Sequence, residues 1–391
     1  MVKQLLYSII GIFFVFVLSE LFLREAEKIS PKLLFFTTNP YQQNRYVTNI
    51  DWQGLWTLSD CPTPPGYELY GFVLNSKGFR TPETPYAKPL DTKRLVLLGD
   101  SQSVGPIPYN QLFINLLEKN VQSNYSNKFQ AINLALPCIG PPTETIILSL
   151  EGIRYQPDIV LLAFYVGNDF LDTHTNIERY ADEKNKQPHL LPFMFYQSKI
   201  VSLTRNLYYT IRFGRTSMMA NQTSSSSSYG SLGIDSYSSY NPNEPTFSLE
   251  NFLEIETHKA SIFLPNSSIY LSLPRVQQYI THMKELTEQA NAQFLVLIIP
   301  EEMQVNSELL TKVASRLHRS VDSFEVDLPQ RLLMDYFHQK NIQYINLLEI
   351  WKKDELATQY YQPQDTHLNT LGNQSAAEIL YPKIFELLQN R

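Results

Sequence analysis

The chain is poor in cysteine, in glycine and in basic charge. It has only two cysteines, Cys61 and Cys138, in 391 residues. Two thiols make neither a disulfide framework nor a metal cluster. They leave room for one bridge if the chain leaves the cytosol, or for two unpaired small hydrophobes. There are 14 glycines, and no Gly-rich phosphate loop follows the first apolar run, which argues against a module that binds a nucleotide or flavin phosphate. Lys and Arg total 32 against 38 Asp and Glu, for a net charge of −6, with no long basic run. That balance excludes nucleic acid as the expected partner. Apolar residues, by contrast, are 43% of the chain, with 24 Tyr and 22 Phe. This is ample for a packed core and excludes global disorder. No internal repeat is visible.

The longest apolar stretch lies at the start. Residues 5–23, "LLYSIIGIFFVFVLSELFL", are interrupted only by Ser8, Ser19 and Glu20 among strongly polar types. At about 1.5 Å per residue a helix of that length roughly spans a bilayer core. Lys3 precedes it, and Arg24 and Lys28 follow in the company of Glu25 and Glu27, so charge does not fix an orientation. No small-residue cleavage site follows, and the run reads as an uncleaved transmembrane anchor. The expected organisation is an anchor over 1–30, an extended collar over 31–90, and a main domain over 91–391. An insertion at about 172–272 breaks that domain. Its Ser/Tyr/Asn-rich middle, "NQTSSSSSYGSLGIDSYSSYNPNEP", has too little apolar content to build a core and reads as a lid or a decoration.

The main domain alternates. Strand-like apolar runs fall at 94–98, 129–136, 158–165, 294–299 and 342–347. Helix-like stretches lie at 109–121, 143–155, 274–292, 328–340 and 371–389. Ile146, Leu150 and Ile153 recur at helical spacing, as do Val276, Ile280, Met283 and Leu286. Continuously apolar strands are buried on both faces, as in a parallel sheet. Strand and helix in alternation then require right-handed crossovers and a three-layer α/β/α sandwich around a five-stranded, mainly parallel sheet. Ligands in such folds bind beyond the carboxyl ends of the strands.

Three short motifs fall at those ends: Gly99-Asp100-Ser101, Gly167-Asn168-Asp169, and "DTHLNTLG" from Asp365 to Gly372. A serine hydroxyl is a weak nucleophile until a base removes its proton. At the turn from strand to helix Ser101 stands clear of the core beside free N–H groups. His367 is the candidate base. Asp365, two residues earlier on the same side of an extended segment, can hold the imidazole's other nitrogen. The Asn168 amide can donate to an oxyanion. The competing readings are a plain helix cap at Asp100, a turn residue at Asn168 and a loop histidine at 367.

With these residues in place, the chain resembles the SGNH hydrolase superfamily, the GDSL esterases and lipases, over most of residues 75–391 outside the insertion. Ser101 matches the family's nucleophile, Asn168 its oxyanion asparagine and His367 its base. "NSKGFR" (75–80), "IIPEEMQV" (298–305) and "HLNTLG" (367–372) resemble the membrane-anchored bacterial branch. The resemblance implies a flavodoxin-like SGNH fold and hydrolysis of acyl or acetyl esters through an acyl-serine, with no cofactor and no metal. It also implies an acylated glycan of the cell envelope as substrate, and a single-pass membrane protein with its domain outside the cytosol. Two departures stand out. The block expected to read Asn-Leu-Gly-x-x-Gly is "NLALPCIG" here, so Cys138 or Gly140 takes the oxyanion glycine's place. The acid often found three residues before the histidine is replaced by Gln364, leaving Asp365. An O-acyltransferase using the same site and a non-catalytic, membrane-tethered glycan-binding protein are the alternatives.

Overall fold

A computed structural model describes residues 7, 8, 11, 14–22, 54–59, 61, 63–125, 128–173 and 240–389. The chain divides into two units, one of Met1–Gly54 with Ala181–Asp235 and one of Leu55–Tyr180 with Ser236–Arg391. In the first, residues 7, 8, 11 and 14–22 are helical. The rest of the apolar run, and the Ser-rich centre of the expected insertion, lie outside the described residues. Among the described residues no helix is long and apolar enough to cross a membrane.

The second unit carries the sheet. A small hairpin, β1 (Glu68–Leu69) and β2 (Phe72–Val73), turns through Tyr70 and Gly71, both at positive φ. Five strands follow: β3 (Thr92–Gly99), β4 (Lys128–Asn133), β5 (Ile159–Tyr165), β6 (Gln293–Ile299) and β7 (Gln343–Asn346). Every neighbouring pair is parallel and the order is β4-β3-β5-β6-β7. The order reverses at β3, which opens a crevice at the carboxyl ends of β3 and β5. Leu95 and Leu97 pack on one face with Leu161 and Leu297, while Val96, Leu98, Leu162 and Ile298 of the other face are equally buried. Both faces are thus covered, as the apolar strands require.

The helices are α1 (Ser101–Val104), α2 (Phe113–Asn124), α3 (Pro141–Leu150), α4 (Leu249–Lys259), α5 (Leu273–Gln289), α6 (Ser307–Arg316), α7 (Leu328–Lys340), α8 (Leu347–Trp351) and α9 (Thr370–Gln389). Phe113 and Leu117 of α2 join Ala376 and Leu380 of α9 against Leu95 and Leu97. Gly152, just after α3, comes close to Val96 on the opposite face.

The strand expected over 129–136 ends early as a strand, at Asn133. Leu134 and Leu136 still donate to Leu97 and Gly99, so the segment continues beside β3. The expected helix 143–155 starts at Pro141, because proline has no N–H to lose in a first turn. It gives way to a 3-10 turn over Gly152–Tyr155.

Residues 63–90 of the expected collar are built into this unit. The Arg80 guanidinium is buried and donates to the carbonyls of Leu69, Val104, Gly105 and Ile107. Arg94 reaches back to the carbonyls of Pro85, Tyr86 and Ala87. Lys77 pairs with the buried Glu151 at 2.8 Å. Cys61 is bonded to Cys138 with the Cα atoms 5.6 Å apart. The end of the expected insertion is likewise folded: Phe252 of α4 and Ile262 and Phe263 beyond it are buried.

Candidate active site

β3 runs into the crevice and stops at Gly99. A Cβ there would lie 2.5 Å from Ser103 Oγ and 3.3 Å from Ala163 Cβ. Only glycine lets the next turn fold back so closely on the strand. Asp100 then caps α1, its carboxylate accepting from the Gln102 N–H at 2.9 Å. Its carbonyl takes the N–H groups of Ser103 and Val104. Of this first turn the Ser101 N–H has no hydrogen bond among the described residues. α1 is a single turn, so its dipole is slight and the N–H itself is the useful group. The capping reading and the nucleophile reading both fit the motif, Asp100 doing the first and Ser101 standing free for the second. Asp100 is fully buried. Burial lifts its carboxyl, against the pull of the Gln102 N–H, His367, the Asn168 amide and Lys259.

His367 and Asp365 sit in a narrow loop closed by the Tyr361–Leu368 bridge, with Gln364 at φ 47 making the reversal. Asp365 Oδ1 accepts from the His367 backbone N–H at 3.0 Å and from Nδ1 at 2.6 Å. A carboxylate only accepts, so Nδ1 carries the proton and Nε2 is the basic nitrogen. Burial raises the Asp365 carboxyl, but the charge and ring N–H of His367, the Thr246 hydroxyl and the backbone N–H outweigh it and hold it below the usual range. The acid two residues before the histidine thus meets it directly, and Gln364 serves as the turn.

The Ser101 turn and the His367 loop come together through Gln102. Its Nε2 donates to the Thr366 carbonyl at 2.7 Å and its Oε1 accepts from the Leu368 N–H at 3.1 Å. No hydrogen bond joins Ser101 Oγ to His367 among the described residues. Asn168 follows β5 as expected. Its Nδ2 donates to Asp172 at 2.8 Å, and its Oδ1 is buried without a partner. To serve an oxyanion the amide must offer the N–H that Asp172 does not take.

Cys138, not Gly140, has the conformation that glycine adopts freely: its φ is 54, whereas Gly140 lies at −142. The glycine at 140 answers a different need. A Cβ there would come within 3.0 Å of Asp172 Cβ. The reading of two unpaired thiols is corrected, since Cys138 is held by Cys61. Ser59 Oγ adds a bond to the Pro137 carbonyl.

Four carboxyl groups, Asp100, Glu144, Asp169 and Asp172, lie close enough to act on one another. Burial, then repulsion from Asp100 and Asp172, pushes Glu144 well above its ordinary value. Asp169 is raised by burial and by its three acidic neighbours. Both shifts favour the protonated form of these carboxyls. Among the described residues no group of three or more His, Cys, Asp or Glu side chains is arranged to hold a metal ion. Gln102, Thr246 and Glu144 had no signal in the sequence. Each acts through a partner more than 40 positions away or through burial.

No family model and no curated protein sequence matches the chain. Among solved structures it is similar to one named TesA, at 12% identity and a TM-score of 0.38, covering 75% of this chain and 99% of that one. A lipase/acylhydrolase from Enterococcus faecalis gives 10% and 0.37, covering 75% and 96%. The acetyl xylan esterase AlAXEase gives 10% and 0.39, covering 74% and 99%. At such identities and scores the chemistry rests on the geometry of the site.

Proposed function

We propose that this chain is a serine ester hydrolase of the SGNH type. The observation that carries this reading is the Asp365–His367 pair, bonded at 2.6 Å and tied to the Ser101 turn by Gln102. In the reaction His367 Nε2 takes the Ser101 hydroxyl proton as Oγ attacks the ester carbonyl. The oxyanion is met by the Ser101 N–H, the Asn168 amide and the backbone at Cys138. His367 returns its proton to the leaving alcohol, giving an acyl-serine. Water, activated by the same nitrogen, then releases the acid.

The substrate class we propose is an acyl or acetyl ester on envelope polysaccharide, with residues 5–23 as the membrane anchor and the domain outside the cytosol. The Cys61–Cys138 bridge supports an oxidising compartment. A fluorophosphonate probe should label Ser101, and Ser101→Ala should abolish labelling and hydrolysis of p-nitrophenyl acetate. Absence of labelling in the folded chain would favour a glycan-binding protein instead. Product analysis with an acceptor sugar separates hydrolysis from acyl transfer.

A further inference from the structure

We propose that Gln102 is a positioning residue that sets the base against the nucleophile, an inference that rests on the hydrolase reading. Gln102 follows Ser101 directly and is 1% exposed. Its amide bonds the Thr366 carbonyl and the Leu368 N–H, the two backbone groups that flank His367. A carbonyl only accepts and an N–H only donates, so the amide has one orientation. Its own backbone is pinned by Asp100. Among the described residues these are the only side-chain hydrogen bonds between the 100–105 turn and the 361–369 loop. The Thr366 carbonyl has a second donor. Tyr165 OH donates to it at 3.4 Å and receives Lys259 Nζ at 3.1 Å. One side chain therefore couples the position of Ser101 to that of the imidazole.

The test uses the full chain with Gln102→Met, which keeps length and loses both bonds, and Gln102→Glu. A protonated glutamic acid can do both jobs, its O–H donating to Thr366 and its carbonyl accepting from Leu368. Ionised, it faces the Thr366 carbonyl without a proton. A misplacement on the order of 1 Å costs about 10²-fold in rate. Gln102→Met should therefore lower kcat for p-nitrophenyl acetate by about 30- to 100-fold, slow Ser101 labelling equally, and leave KM within about twofold. The rate of Gln102→Glu relative to wild type should climb as pH falls, while that of Gln102→Met stays flat. The charged and titratable groups around this contact are Asp100 on the turn, Asp365 and His367 on the loop, Tyr165 on β5 and Lys259 on α4; Gln102→Met leaves all of them in place and is the control for them.

Wild-type kcat in Gln102→Met, a change confined to KM, or a flat ratio for Gln102→Glu overturns the proposal. If Gln102→Met fails to fold, the pH dependence of Gln102→Glu decides. A wild-type chain that neither labels nor hydrolyses sinks the hydrolase reading instead. The clamp is then judged by hydrogen exchange at the Leu368 amide, which Gln102→Met should speed at least about tenfold. Unchanged exchange overturns it.

Discussion

Replacing Cys61 by Ala and Cys138 by Gly breaks one bridge from its two ends, yet the two variants should differ in stability. The bridge joins positions 77 apart, and closing a loop of that size in the unfolded chain is worth about 4.5 kcal/mol. Both variants lose this. Cys61→Ala leaves Cys138 in the left-handed region at φ 54, where a side chain costs about 1–2 kcal/mol. Cys138→Gly removes that cost but gives the unfolded chain extra freedom worth about 0.5–1 kcal/mol. Glycine should therefore come out ahead by about 0.5–1 kcal/mol. Urea unfolding of the full chain at 25 °C measures the difference. Both variants should fall by about 3–5 kcal/mol, with the midpoint of Cys138→Gly above those of Cys61→Ala and Cys138→Ala. Wild type in dithiothreitol should track Cys61→Ala. A Cys61→Ala midpoint equal to or above that of Cys138→Gly would refute the backbone argument. Stability untouched by either change would refute the bridge.

Asn168→Ala should lower kcat by about 10²- to 10³-fold with KM little changed, the cost of one oxyanion donor; a loss in KM alone would assign the amide to ground-state binding. Thr246→Val removes one of the donors that hold the Asp365 carboxyl down. The stability that ionised Asp365 contributes is present above the ordinary carboxyl value and lost as pH falls through its lowered one, so acid unfolding of the variant should begin at higher pH; superimposable acid profiles would exclude the contact. Glu302 is raised to about 8, first by burial. The folded state then binds the extra proton, so stability falls as pH climbs from about 4.5 to about 8, by up to about 5 kcal/mol. Glu302→Gln should flatten that fall, read as Tm at pH 5 and pH 8, and an unaltered slope would count against a buried neutral Glu302.

The sheet was legible because continuous apolar runs such as Leu95–Leu98 have one common destination, a strand covered on both faces. The site motifs were legible because strand ends are where such a fold puts chemistry. Asp365 could be placed beside His367 from extended-chain geometry alone. The supports were not legible. Gln102 meets Thr366 and Leu368 across more than 260 positions, and no local periodicity encodes such a meeting. Thr246 lies in a stretch whose neighbours read as loop, yet its backbone N–H donates to the Pro363 carbonyl and its hydroxyl reaches Asp365. The ties of residue 80 in the collar and residue 94 in β3 were hidden for a similar reason. Arg80 and Arg94 are charged residues, which in a sequence argue for solvent. Here each is buried on backbone carbonyls that only the finished fold assembles.

The collar's clasps also impose an order on biosynthesis. Cys61 leaves the ribosome 77 residues before Cys138, an interval of about 4–15 s at 5–20 residues per second. Throughout that interval it is a thiol without its partner. With only two cysteines in the chain, any wrong disulfide it forms must be to another molecule. Arg80 waits similarly for the carbonyls of residues 104–107. The segment made early is thus among the last to be fastened, and the turn at Cys138 is tied to it only when that bridge closes.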